Sequence, residues 1–96
     1  MVTEIAVFQA IPGKEKAFAQ GIQQGVEVVK RDAVCRSASA QRCIEDPARF
    51  LLIIQWENLE AHMEGFRKSP RFAEYRSHIN GLFAEGSPVV HHYQVL

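Results

Sequence analysis

Apolar and polar positions along this chain change their repeat from segment to segment, and the changes mark out its elements. Val2–Ile11, VTEIAVFQAI, is rich in β-branched and aromatic residues and stops at Pro12-Gly13, where a strand ends. Across Lys14–Arg31 the repeat becomes helical: Phe18, Ile22, Gly25 and Val29 fall at i, i+4, i+7 and i+11, one face of an amphipathic helix. Gly21 and Gly25 each cost such a helix about 1 kcal/mol relative to alanine, which predicts close packing there. VCRSASAQRCI, Val34–Ile44, alternates small with larger residues and is polar on average, the character of an edge strand. Glu45-Asp46-Pro47 turns the chain, and FLLIIQWE, Phe50–Glu57, returns as an apolar strand. Asn58 is a good N-cap, and Glu60 in the first turn suits the helix dipole. Leu59, His62, Met63 and Phe66 then share one helical face, the expected buried arc. Ser69-Pro70 restarts the helix with a stripe of Phe72, Ile79 and Phe83, Gly86-Ser87-Pro88 closes it, and VVHHYQVL is a last strand.

The order is β-α-β-β-α-β, the split βαβ arrangement of ferredoxin-like α+β folds. That topology predicts an antiparallel sheet in the order 4-1-3-2, with FLLIIQW central and CRSASAQRC at an edge. Leu51, Leu52, Ile53 and Ile54 point alternately to the two faces of the central strand, so both faces need cover. Two helices cover one face of such a sheet. The other predicts a symmetric homodimer, because a bare apolar face of ~400 Å² or more favours aggregation.

Ninety-six residues make one domain, 1–96, with no room for a second core. Eleven basic residues balance eleven acidic ones, which argues against nucleic-acid and membrane-surface partners. No run approaches the ~18 apolar residues of a membrane-spanning helix. MVTEIAVFQAIPGKEK has no basic leader and meets Pro12-Gly13 too early for a signal peptide, so a cytoplasmic location is expected. Cys35 and Cys43, read on one strand, lie roughly 26 Å apart, beyond the reach of a disulfide. No zinc-type Cys/His spacing is present, and no metal site is expected.

The βαββαβ order, PGKE opening the first helix, the run W-E-N-L-E-A-H-(x)6-S-P-R-F-(x)2-Y and the closing PVVHHYQVL resemble the antibiotic biosynthesis monooxygenase family. The resemblance covers nearly the whole chain and implies a dimeric α/β barrel with a pocket between helices and sheet. Members include cofactor-free oxygenases of quinol-like aromatics and haem-degrading monooxygenases. The haem-degrading members use an Asn on the first strand, a Trp in the second helix and a later His as iron ligand. Aligned on Phe72 of S-P-R-F, Phe66 stands at the Trp place, Arg76 at the His place, and TEIAVFQAI has no Asn. Haem degradation is therefore not expected.

The cofactor-free branch implies a small aromatic substrate, O₂ and no cofactor. Its chemistry needs an apolar pocket, a proton acceptor and donors for an oxyanion. His62, at the border of the buried arc, is the candidate base near neutral pH. Tyr75 is a candidate oxyanion donor, and Arg76 a holder of an anionic substrate or a residue in a structural ion pair. The Trp56 indole N–H is a further candidate donor to substrate, or a packing group at the strand end. Phe8, Ile54, Met63, Phe66 and Phe72 are core residues that also serve as walls of an aromatic cavity. His91 and His92 point to opposite faces of their strand, so one faces inward, and parity does not say which. A binding protein without turnover, or an isomerase or lyase acting by proton transfer, remain alternatives on the same scaffold.

Overall fold

A computed structural model describes residues 1–96. The strands are β1 (Val2–Gln9), β2 (Cys35–Arg42), β3 (Arg49–Trp56) and β4 (Val89–Tyr93), and the α-helices are α1 (Glu15–Lys30) and α2 (Pro70–Ser77). They form a four-stranded antiparallel sheet in the order β2-β3-β1-β4, the arrangement expected of the ferredoxin-like order. No helix is long and apolar enough to cross a membrane.

Strand alternation sorts the residues onto two faces. Ala6 and Phe8 of β1 are buried on the helix side with Phe50, Leu52, Ile54 and Trp56 of β3. Phe18 of α1 packs its ring on Phe8 and Phe50, with centroids 5.2 and 4.8 Å apart. Small residues on β2 make room for α1, and Ala38 is buried opposite Ile54. Ile5 and Val7 of β1, with Leu51 and Ile53 of β3, project from the opposite face and remain partly exposed.

The two glycines of α1 mark where α2 and the turn after it press in. A Cβ on Gly21 would meet the carbonyl oxygen of His78, and one on Gly25 would lie 3.0 Å from the Tyr75 ring. The helix gives up propensity at these positions for a close approach that seats Tyr75 in the core.

The second helical region departs from the expected regular helix. Asn58 Oδ1 accepts from the Ala61 backbone N–H at 2.8 Å, as an N-cap does. Beyond it Ala61–Gly65 forms a π-helical turn and Phe66–Lys68 a 3₁₀ turn before Pro70 opens α2. Inside the π turn the Phe66 N–H reaches back to the Ala61 carbonyl, an i→i+5 bond that shifts the angular register of the following residues. Only His62 and Phe66 of the expected arc are buried, while Leu59 is 48% and Met63 36% exposed. The arc drawn with a constant α-helical repeat was therefore too wide on that side.

Candidate functional site

The π turn and the sheet together build a buried polar string. Glu4 is buried on β1, one pleat before Ala6 and two before Phe8. The register opposes it directly to His92 of β4 and to Ile54 of β3. At the end of β3 the fully buried Trp56 donates its indole N–H to Glu4 Oε1 at 2.8 Å. The π turn lays the His62 ring flat on that indole, centroids 5.2 Å apart and planes 11° from parallel. His62 Nε2 then lies 3.3 Å from Glu4 Oε1, and His62 Nδ1 lies 2.7 Å from His92 Nε2.

Burial sets the protonation of this string. It drives the His62 pKa down to about 4, with His92 and Arg67 adding in the same direction. His62 is thus neutral near pH 7, and its 3.3 Å contact with Glu4 is not an ion pair. Burial raises the Glu4 pKa above its usual value, against the Trp56 hydrogen bond and the Arg67 charge, which lower it. His92 is likewise lowered by burial, then by Arg67 and His91. The Tyr75 phenol is held far above its ordinary value, first by burial and then by the Glu4 carboxylate, so it remains a hydrogen-bond donor.

Glu4, His62, Tyr75 and Arg76 all line one cavity of about 300 Å³ between the sheet and the helical turns. Its apolar wall includes Leu52, Ile54, Phe66 and Phe72. This volume is at the small end of the range for small-molecule sites. Arg76 stacks its guanidinium on Phe72 and Phe83, 5.6 and 5.1 Å from the ring centroids. Its Nε is buried without a hydrogen-bond partner. No ion pair of this chain includes Arg76, so the structural alternative for it has no acid within the protomer.

The cavity thus gathers His62, Tyr75, Arg76, Ile54, Phe66 and Phe72 from the residues singled out in the sequence. Trp56 lies behind the wall with its one donor spent on Glu4, so it is not free to reach a substrate. Phe8 is sealed among Phe18 and Phe83, away from the cavity. Met63 is on the exposed side of the π turn, again because of the shifted register. Of the two adjacent histidines, His92 faces the string, while His91 lies exposed on the other face of the sheet. Glu4 was missed. The signal was present, because Glu4 shares strand parity with the buried Ala6 and Phe8, and a carboxylate there has to find partners.

Glu4, His62 and His92 each offer one donor atom to a group that spans no more than 4.8 Å, so a cation is geometrically conceivable there. Both ring nitrogens of His62 are already engaged, one by Glu4 and one by His92, and a cation would have to break one of those contacts.

The ferredoxin-like sheet and its helical turns thus place an acid, an imidazole, a phenol and an arginine around one cavity. The antibiotic biosynthesis monooxygenase family model matches residues 1–77, and the chain belongs to this family. It is 30% identical over 94 residues to the uncharacterized protein YczJ of Bacillus subtilis (strain 168), with 98% of each chain covered. A crystal structure of a protein from Bordetella bronchiseptica, described as of antibiotic-biosynthesis-monooxygenase type, is 37% identical and superposes with a TM-score of 0.90, covering 99% of this chain and 96% of that one. A Nitrosomonas europaea protein of the same description shares the fold at a TM-score of 0.84 and 18% identity, covering 100% of this chain and 99% of its own.

Proposed function

We propose that the protein is a cofactor-independent monooxygenase that oxidises a small quinol or polycyclic phenol with O₂, working as a cytoplasmic homodimer. The observation that supports this best is one apolar cavity faced by both the Glu4–His62 pair and an Arg76 without a partner. The first can accept a proton and the second can hold the anion that results.

A phenol with an unsubstituted para ring carbon enters with its ring against Phe66 and Phe72. Its O–H proton passes to the Glu4–His62 pair, and Arg76 with the Tyr75 hydroxyl stabilises the phenolate. The electron-rich anion gives one electron to O₂, and the resulting radical and superoxide join at the para carbon as a peroxide anion, which takes a proton back to become a hydroperoxide. Loss of water from that carbon leaves a quinone. One oxygen atom goes to product and one to water, and every electron comes from the substrate. The neighbouring apolar wall keeps bulk water from the reactive anion. The homodimer follows from the sheet face carrying Ile5, Val7, Leu51 and Ile53, which neither helix covers.

Oxygen uptake by the purified protein over hydroxylated naphthalenes and anthracenes, with a chelator present, tests the reading. Protein-dependent uptake above autoxidation supports it, and its absence across the panel with ligand binding intact rejects it. The acid–imidazole string also suits a proton-transfer isomerase, which would convert a bound phenol or enol without consuming oxygen.

A further inference from the structure

We infer that Glu4 is the proton acceptor of this site, and that His62 and His92 form the outlet through which its proton leaves along the outer edge of the sheet. The inference rests on the oxygenase reading for the identity of the substrate, and on geometry for the route.

Three observations single out Glu4. It lines the cavity that also holds Arg76 and Tyr75, so its carboxyl can meet a ligand hydroxyl. Its Oε1 is held from behind by the Trp56 indole, which fixes its direction without taking a proton from it. Its only other polar neighbour of the string, His62, continues to His92, which is half-buried on β4, an edge strand of the sheet. Direct acceptance by His62 is the weaker route, because a neutral imidazole held at a pKa of about 4 is a poor base at neutral pH. A carboxylate whose affinity for protons is raised by burial is a better one.

The step balances. The substrate O–H bond breaks, the electron pair stays on the phenolate oxygen, and the proton binds Glu4. With the two rings carrying their protons on Nδ1, one concerted shift empties the carboxyl. Glu4 gives its proton to His62 Nε2, His62 Nδ1–H gives its own to His92 Nε2, and His92 Nδ1–H gives its own to solvent. The carboxylate is regenerated with both rings now protonated on Nε2. The reverse shift brings a proton back through Glu4 to the peroxide anion, which restores the Nδ1–H tautomers without opening the cavity to water. The charged and titratable groups facing this string are Arg67 from the 3₁₀ turn, Tyr75 and Arg76 from α2, and His91 beside His92 on β4. Arg67 and Arg76 favour the anionic phenolate and disfavour a second positive charge on either ring. That biases the string toward passing a proton on instead of storing it.

The test is a spectrum of 1-naphthol bound to the protein under nitrogen at pH 7, where naphtholate absorbs at longer wavelength than the neutral phenol. The wild type is expected to bind the naphtholate. Glu4→Gln keeps an acceptor for Trp56 and is expected to show at least a tenfold smaller naphtholate fraction. On turnover the same variant should lose about 10²–10⁴-fold in kcat. His92→Ala, at the partly exposed edge, is expected to keep the naphtholate band, lose about tenfold in turnover, and regain it with added imidazole. A wild type without the band, or a Glu4→Gln that keeps both band and turnover, overturns the inference. A band without oxygen uptake would reject the oxygenase reading and leave the Glu4 assignment standing. Oxygen uptake that Glu4→Gln retains in full would do the reverse.

Discussion

Trp56 and Glu4, fifty-two residues apart in the chain, meet in the core through one hydrogen bond of 2.8 Å from indole N–H to carboxyl. The bond ties the end of β3 to the start of β1, at the point where the π turn leaves the sheet. It gives a fully buried donor a partner and gives a buried acid a fixed direction. The same indole carries the His62 ring on its face, so one side chain positions both members of the proposed acid–imidazole pair.

Trp56→Phe should therefore do more than remove ring volume. It leaves Glu4 short of a donor, so the carboxyl should titrate still higher, and about 1–3 kcal/mol of stability should be lost from the unmade bond alone. Urea midpoints at pH 7 measure the loss, and carboxyl titration by NMR measures the shift.

The histidine string should shape stability on the acid side. The His62 pKa is about 4 when folded against 6.5 ordinarily, so between those values the unfolded chain binds a proton that the folded chain refuses. Its contribution is complete above pH 6.5 and is lost as pH falls toward 4. Glu4 acts in the opposite sense, because its raised folded pKa gives stability below 4.5 that is lost as pH climbs through the folded value. Replacing His62 by Asn should flatten the fall in urea midpoint between pH 6.5 and 4.5. An unchanged slope would mean the ring is not held neutral.

At Gly21 a methyl group should cost more than helix propensity returns. The added Cβ of Gly21→Ala meets backbone, the His78 carbonyl, which has no rotamer with which to yield. Overpacking of about 1–3 kcal/mol outweighs a propensity gain of about 1 kcal/mol. The thermal midpoint should fall by about 4–8 °C for each kcal/mol of net loss.

Arg76 should separate binding from stability. Arg76→Met removes a cation with no acid partner and keeps a flexible stem against Phe72 and Phe83. Stability should hold within about 0.5 kcal/mol or rise, since no ion pair is broken. Affinity for an anionic phenol should fall about ten- to a hundredfold, as expected for a lost charge-assisted contact. A large loss of stability would show that the guanidinium has a structural partner in the assembly.

The uncovered sheet face sets the last prediction. Ile53→Lys places a charge at the centre of the face proposed to pair with a second copy, and should convert a dimer to monomer in sedimentation equilibrium. A monomeric wild type would remove the basis for that proposal.

Much of the fold was legible because it is written in local periodicity. The switch between strand and helical repeats separates the six elements, and the contrast between LLII and SASA assigns β3 to the centre and β2 to the edge. Gly21 and Gly25 announced a close contact, because their cost in a helix needs a reason. The single face of helix cover follows from the element order itself. His62, Tyr75 and Arg76 could be named because a polar residue beside an apolar stripe stands out, and Phe66 and Phe72 because they form the stripe itself.

What the tertiary structure decided was who meets whom. A helical wheel assumes a constant rotation per residue, and a π turn breaks that assumption, which is why Met63 faces solvent while His62 faces the core. Parity left His91 and His92 undivided, and Glu4 was not singled out although it shares the buried parity of Ala6 and Phe8. Only the antiparallel register of β1 with β4 sets His92 against Glu4. Periodicity is a property of the backbone over a few residues. Register and the approach of distant turns are set by packing summed over the whole core, so a site assembled from β1, β3, β4 and a π turn exists only once they have docked.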